Sequence, residues 1–142
     1  MLDAYRDLID ELLGTPTDIR TLLDAAGDAK SSGETRRLIA GLRDRDRAVL
    51  ERVQAINRQQ TPYLRALDIP PAASDEELSV LLEEMETARG DLVSLLMNLT
   101  LKDWARDAIH ETGGEITLAD EVEEHVEFDE AQRLRLRELL TA

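Results

Sequence analysis

The sequence predicts an all-α protein, an antiparallel four-helix bundle in a single domain spanning residues 1–142, and three observations carry that expectation. Apolar residues recur at spacings of three and four through most of the chain, the period of one helix face. The alternation of a half-buried strand is missing. The connectors between periodic segments are short or proline-rich, which suits helices folded back on one another. A chain of this length buries roughly 70% of the surface it exposes when unfolded, enough for a substantial core.

The first helix carries Leu2, Tyr5, Leu8, Ile9, Leu12 and Leu13, then meets Gly14-Thr15-Pro16. Thr15 can cap and Pro16 can open a new turn, so a kinked or two-part helix is expected, resuming through Ile19, Leu22, Leu23 and Ala26. The polar stretch GDAKSSG leads to a second helix, roughly Glu34 to Gln60, striped by Leu38, Leu42, Val49, Val53 and Ile56. Its RDRDR run, Arg43 to Arg47, reads as a solvated face with ion pairs worth roughly 0.3–0.5 kcal/mol each. Helical geometry turns Arg45 and Asp46 inward.

The connector TPYLRALDIPPAA holds three of the four prolines and cannot continue a helix. Ser74 to Glu77 reads as a capping box opening the third helix, which runs to about Leu99. Its stripe is Leu78, Leu81, Leu82, Met85, Leu92, Leu96 and Leu99, and Arg89 interrupts it. Thr100 to Asp103 opens a short extra helix through Trp104 to about His110, ended by Gly113-Gly114. Thr117 to Asp120 is a start of the same kind, and the last helix reaches about Leu140.

Composition narrows the function. There are 31 acidic and 17 basic residues, a formal charge of −14, and such a surface repels phosphate backbones and anionic lipid heads. Neither nucleic acid nor membrane is an expected partner. No apolar run approaches the roughly 20 residues of a membrane span, and the acidic amphipathic N-terminus is unlike a secretory signal. A cytoplasmic location is expected. Without cysteine there is no disulfide, thiolate ligand or thiol nucleophile. Tyr5, Tyr63, Trp104 and Phe128 are the only aromatics, so the core is aliphatic.

The informative residues are polar ones on an apolar face. Leu118, Val122, His125, Asp129, Gln132, Leu136 and Leu139 share one side of the last helix, with Phe128 at its edge. A buried carboxylate needs a partner, and Arg89 is the candidate for Asp129. Two readings follow: an ion pair that fixes helix register, or a small polar ligand pocket inside the bundle. Other chemistry is thin. His110-Glu111 lacks the second histidine of a zinc-protease helix, no glycine-rich phosphate loop occurs, and no serine has an evident histidine–carboxylate partnership.

The order of these pieces resembles the DinB-like (YfiT-like) four-helix-bundle superfamily. ETRRLIAGLRDRD matches the family's helix carrying His-Leu-x-Asp. DWARDAIHETGGEITL matches its Trp-x-Arg, His-then-Gly and Thr-Leu elements, and VEFDEAQ matches its terminal His-Asp-x-x-His. The resemblance implies a divalent metal held by three histidines, an arrangement suited to Lewis-acid chemistry. Carried over residue by residue, those positions fall here on Gly41, Phe128 and Gln132, while Asp129 fits the family's aspartate and His110 a loop histidine. A degenerate metal triad is therefore expected, with no cofactor. The pocket would be lined by Gly41, Arg45, Arg89, His125, Phe128, Asp129 and Gln132 and would bind a small molecule or a protein partner. One alternative is a metal-dependent transferase using a low-molecular-weight thiol, with His125, Asp129 and one of Asp44, Asp46 or Glu51 as ligands. Another is a structural homodimer, since the resemblance also implies dimers.

Overall fold

The computed structural model describes residues 2–27, 32–70 and 76–141. Its elements are α1 (Leu2–Ala26), α2 (Gly33–Arg58), β1 (Tyr63–Leu64), α3 (Leu78–Met97), α4 (Leu101–Trp104), β2 (Asp107–His110), β3 (Gly114–Thr117) and α5 (Leu118–Thr141). Capping residues set several starts. Ser32 caps α2 through the Thr35 amide, Thr100 and Asp103 form a reciprocal capping box on α4, and Thr117 and Asp120 exchange the same pair of bonds at α5. Each satisfies amides that the first helical turn leaves without partners.

The four long helices form the bundle, with α1 packed on α3 and α5, and α2 packed on α3 and α5. Residue pairings give the directions. The expected antiparallel packing holds for α1 with α3, where Arg20 meets Glu86 and the Leu12 carbonyl meets Arg89. It holds also for α2 with α5, where Arg45 meets His125 and Arg52 meets Glu121. The other two neighbours run parallel: Thr15 and Asp18 of α1 meet Asp129 and Arg133 of α5, while Arg43 and Asp46 of α2 meet Glu84 and Arg89 of α3. Parallel neighbours require the chain to travel back along the bundle between helices. The described part of that crossover is residues 59–70, which include β1.

Three boundaries depart from expectation. Helix α1 is one element with Pro16 inside it; Thr15 does not cap a second helix but donates its hydroxyl to Asp129, 2.8 Å away, and lies 3.3 Å from the Glu11 carbonyl. Helix α3 starts at Leu78 with Glu77 at its N-cap and no side-chain cap bond; Ser74 and Asp75 lie outside the described residues. The short extra helix ends at Trp104, and residues 107–110 are a strand. That strand pairs antiparallel with β3 and parallel with β1 in a small sheet of order β1-β2-β3. Gly114, at φ +69°, makes the tight hairpin return that a side-chain-bearing residue resists.

Two apolar clusters fill the interior. One gathers Leu12, Val49, Val53, Leu92, Leu96, Trp104, Leu118 and Val122; the other gathers Ile19, Ile39, Leu42, Leu81, Met85 and Leu136. Between them on each helix lies a buried polar residue: Thr15 on α1, Asp46 on α2, Arg89 on α3, and His125 with Asp129 on α5. Among the described residues no helix is long and apolar enough to cross a membrane.

Candidate functional site

That polar layer is organised around one guanidinium. Arg89, 1% exposed, grips Asp129 with two bonds, Nη1 to Oδ2 at 2.6 Å and Nη2 to Oδ1 at 2.8 Å. Its Nε donates to Asp46 Oδ1 at 3.0 Å, and Nη1 also reaches the Leu12 carbonyl at 2.8 Å. That last acceptor is free for a reason written in the sequence. Pro16 lacks the N–H that would have bonded the carbonyl four residues earlier, so the proline opens Leu12 to Arg89. Burial alone would lower the Arg89 guanidinium, but the bond to Asp129 and the charges of Asp46 and Asp129 hold it above the usual arginine value.

His125 completes the layer. Its Nε2 lies 2.7 Å from Asp46 Oδ1, and its Nδ1 accepts from Arg45 Nε at 3.3 Å. A neutral ring with its proton on Nε2 satisfies both partners. The 3.4 Å approach of Arg89 Nη2 to Nε2 is then a contact between two donors. Asp46 Oδ2 is buried with no hydrogen-bond partner among the described residues, a state that costs about 1–3 kcal/mol.

A pocket of about 530 Å³ lies outside this layer, between α2, α5 and the crossover. Gly41, Arg45, Phe128 and Gln132 line it, with Glu34, Arg37, Leu38 and Arg135 from the helices and Leu67, Ile69 and Pro70 from the crossover. The seven residues expected to share one pocket thus divide in two: Gly41, Arg45, Phe128 and Gln132 face the cavity, whereas Arg89, His125 and Asp129 are sealed beneath it. Arg45 bridges the two, its guanidinium 4.2 Å above the Phe128 ring and its Nε on His125. Burial lowers Arg45 from the usual arginine value, opposed by the charges of Glu124 and Glu121. The crossover wall is tied down by Glu111, which accepts from the Ala66 amide at 2.8 Å, and by Arg52, which donates to the Arg65 carbonyl.

The sequence did not mark Thr15, Leu12 or the crossover residues as part of any site, and Arg37 and Arg135 resembled ordinary surface cations. Asp46 was turned inward on geometry alone. His110 lies apart: its Nδ1 accepts from the amides of Thr112 and Gly113 in the hairpin turn. The donor set does not suit a metal. His125, Asp46 and Asp129 converge, but Arg89 stands among them as the cation. Among the described residues no three His, Asp or Glu side chains are placed to hold an ion.

No family model matches the sequence, and no curated protein matches it. A solved structure does: YfiT from Bacillus subtilis, described as a probable metal-dependent hydrolase with an unusual four-helix-bundle topology. It shares 18% identity with this chain at a TM-score of 0.78, over 98% of this chain and 87% of that one. The fold of this protein is the four-helix bundle of YfiT.

Proposed function

We propose that this protein is a DinB-like bundle with a degenerate metal site that acts by binding a small molecule in the pocket over Gly41, Phe128 and Gln132. One observation carries the reading. The three positions where the resemblance puts metal-binding histidines all line one cavity, yet carry no imidazole, thiolate or carboxylate. Their convergence supports the residue-by-residue alignment, and their chemistry argues against a metal there. His125 and Asp129, the ligands of the alternative transferase reading, are already bonded to Asp46 and Arg89. The homodimer implied by the resemblance is compatible with this pocket and is tested separately by sedimentation velocity.

The test is elemental mass spectrometry on tag-free protein, before and after soaking in nickel, zinc or manganese. The expected result is less than about a tenth of an equivalent in every case, with no change of melting temperature on adding chelator. One tightly held equivalent, lost in His125→Ala, would overturn the reading and put the transferase first.

A further inference from the structure

The pocket differs in charge from the rest of the molecule. Among the described residues three arginines line it, Arg37, Arg45 and Arg135, against one carboxylate, Glu34, in a chain with 31 acidic and 17 basic residues. Several arginines on other faces sit in ion pairs, as Arg20 does with Glu86, Arg43 with Asp44 and Arg133 with Asp18, although Arg6, Arg58, Arg65 and Arg137 have none among the described residues. None of the three pocket arginines has an ion-pair partner among the described residues. Arg45 is the most telling. Neutral groups hold its guanidinium from behind, the Phe128 ring and His125 Nδ1, which orient the cation without neutralising it. Its Nη groups have no acceptor among the described residues. A half-buried guanidinium kept in this way has lost hydration that an oxyanion can replace with paired N–H bonds. Apart from Gly41 and Gln132, the remaining described wall is apolar: Leu38, Leu67, Ile69, Pro70 and Phe128.

We propose that the pocket binds an amphiphilic organic anion, its carboxylate or phosphate head held by Arg45 with Arg37 and Arg135, and its apolar body against Leu67, Ile69 and Phe128. This rests on the ligand-binding reading above and names the ligand's chemistry. The cavity volume falls within the range of small-molecule sites, roughly 300–1,000 Å³. The overall negative charge opposes an anion at long range, but screening over about 8–10 Å at physiological salt leaves the local arginines in control.

Isothermal titration of tag-free protein with decanoate, decyl phosphate, decanol and inorganic phosphate, below micelle-forming concentrations, tests this. Decanoate or decyl phosphate is expected to bind at least about tenfold more tightly than decanol or inorganic phosphate. The preferred head tells carboxylate from phosphate. Arg37 and Arg135 are exposed and pair with no acid among the described residues, so Arg37→Ala and Arg135→Ala should fold normally and each weaken binding about tenfold. A Cβ at Gly41 meets nothing within 4 Å, so Gly41→Phe should fold and block the cavity; Gln132→Phe is a second block. Decanol binding as well as decanoate, with both blocks effective, would overturn the anion proposal and leave the pocket reading standing. Binding that survives both blocks would overturn both. Absence of binding by all four probes at millimolar concentration would overturn the anion proposal.

Discussion

Replacing Arg89 by methionine removes the single cation of the polar layer and keeps much of its volume. Asp46 and Asp129, 0% and 1% exposed, then remain in the interior, and the Leu12 carbonyl that Pro16 leaves open loses its donor. Breaking one buried ion pair by deleting a partner costs roughly 3–5 kcal/mol. Two carboxylates depend on this one guanidinium, so a loss of about 5 kcal/mol, the top of that range, is expected. That is a large share of a typical total of about 5–15 kcal/mol. With a urea slope of about 2 kcal/mol per molar, the unfolding midpoint should fall by about 2.5 M. Equilibrium urea unfolding at pH 7, followed by far-ultraviolet circular dichroism, measures it. Adding Asp46→Asn and Asp129→Asn to Arg89→Met removes the uncompensated charge and should restore much of the loss, because the penalty lies in the stranded anions. A loss below about 1 kcal/mol in Arg89→Met, or no recovery in the triple variant, would refute the assignment of Arg89 as the cation that both carboxylates require.

Other outcomes follow from single contacts. Gly41 is helical with open space at its Cβ, so Gly41→Ala should stabilise the protein by about 0.5–1 kcal/mol in the same assay. Glu121 is 3% exposed and Arg52 is its partner, so Arg52→Ala should cost about 3 kcal/mol; freeing the Arg65 carbonyl should also speed proteolysis of the crossover wall. The Thr100 amide holds Asp103 below the usual carboxylate value, against a small opposing effect of burial and with help from Arg106. A carboxylate depressed in the folded state contributes stability above its unfolded value of about 3.9, and loses it as pH falls through the lower folded value. The stability gap between wild type and Asp103→Asn should therefore be constant at neutral pH and close below about pH 4.

What could be read in the sequence was whatever obeyed a period. Arg89, His125 and Asp129 interrupt apolar stripes of 3.6-residue spacing, and that placed them inside and paired Arg89 with Asp129 before any coordinates. What escaped was set by partners far along the chain. Gly14-Thr15-Pro16 has the chemistry of a helix break, yet the helix continues because the group that proline leaves unbonded is satisfied by Arg89, 77 residues away. Strands of four residues are too short for alternation to declare itself, so Asp107–His110 read as the continuation of a capped helix until its pairing with Gly114–Thr117 was seen. The crossover wall has no period at all. Arg37 and Arg135, each single charges on a helix surface, become informative only when the fold brings them to one cavity.

In the proposed reading the layer and the pocket divide the work of a metal between them. A carboxylate pair inside a bundle requires a cation, and a metal can supply the charge while exposing an open coordination position to substrate. A guanidinium from α3 supplies the charge alone. Its three nitrogens spread four acceptors around a planar fork at 2.6–3.0 Å, Nη1 serving two of them, and every one of those bonds points inward. Stability is thereby separated from whatever the pocket binds. Arg89 secures the interior, and in the proposed reading recognition falls to residues that the interior does not need. Arg45 is where the two meet: through His125 it is registered against the buried layer, and over Phe128 it presents a guanidinium to the cavity. The Phe128 ring stands where the resemblance expects an imidazole, and here it backs an arginine that lines the same cavity. In the proposed reading, the phenylalanine that stands in place of a metal ligand thus also helps to build the anion site.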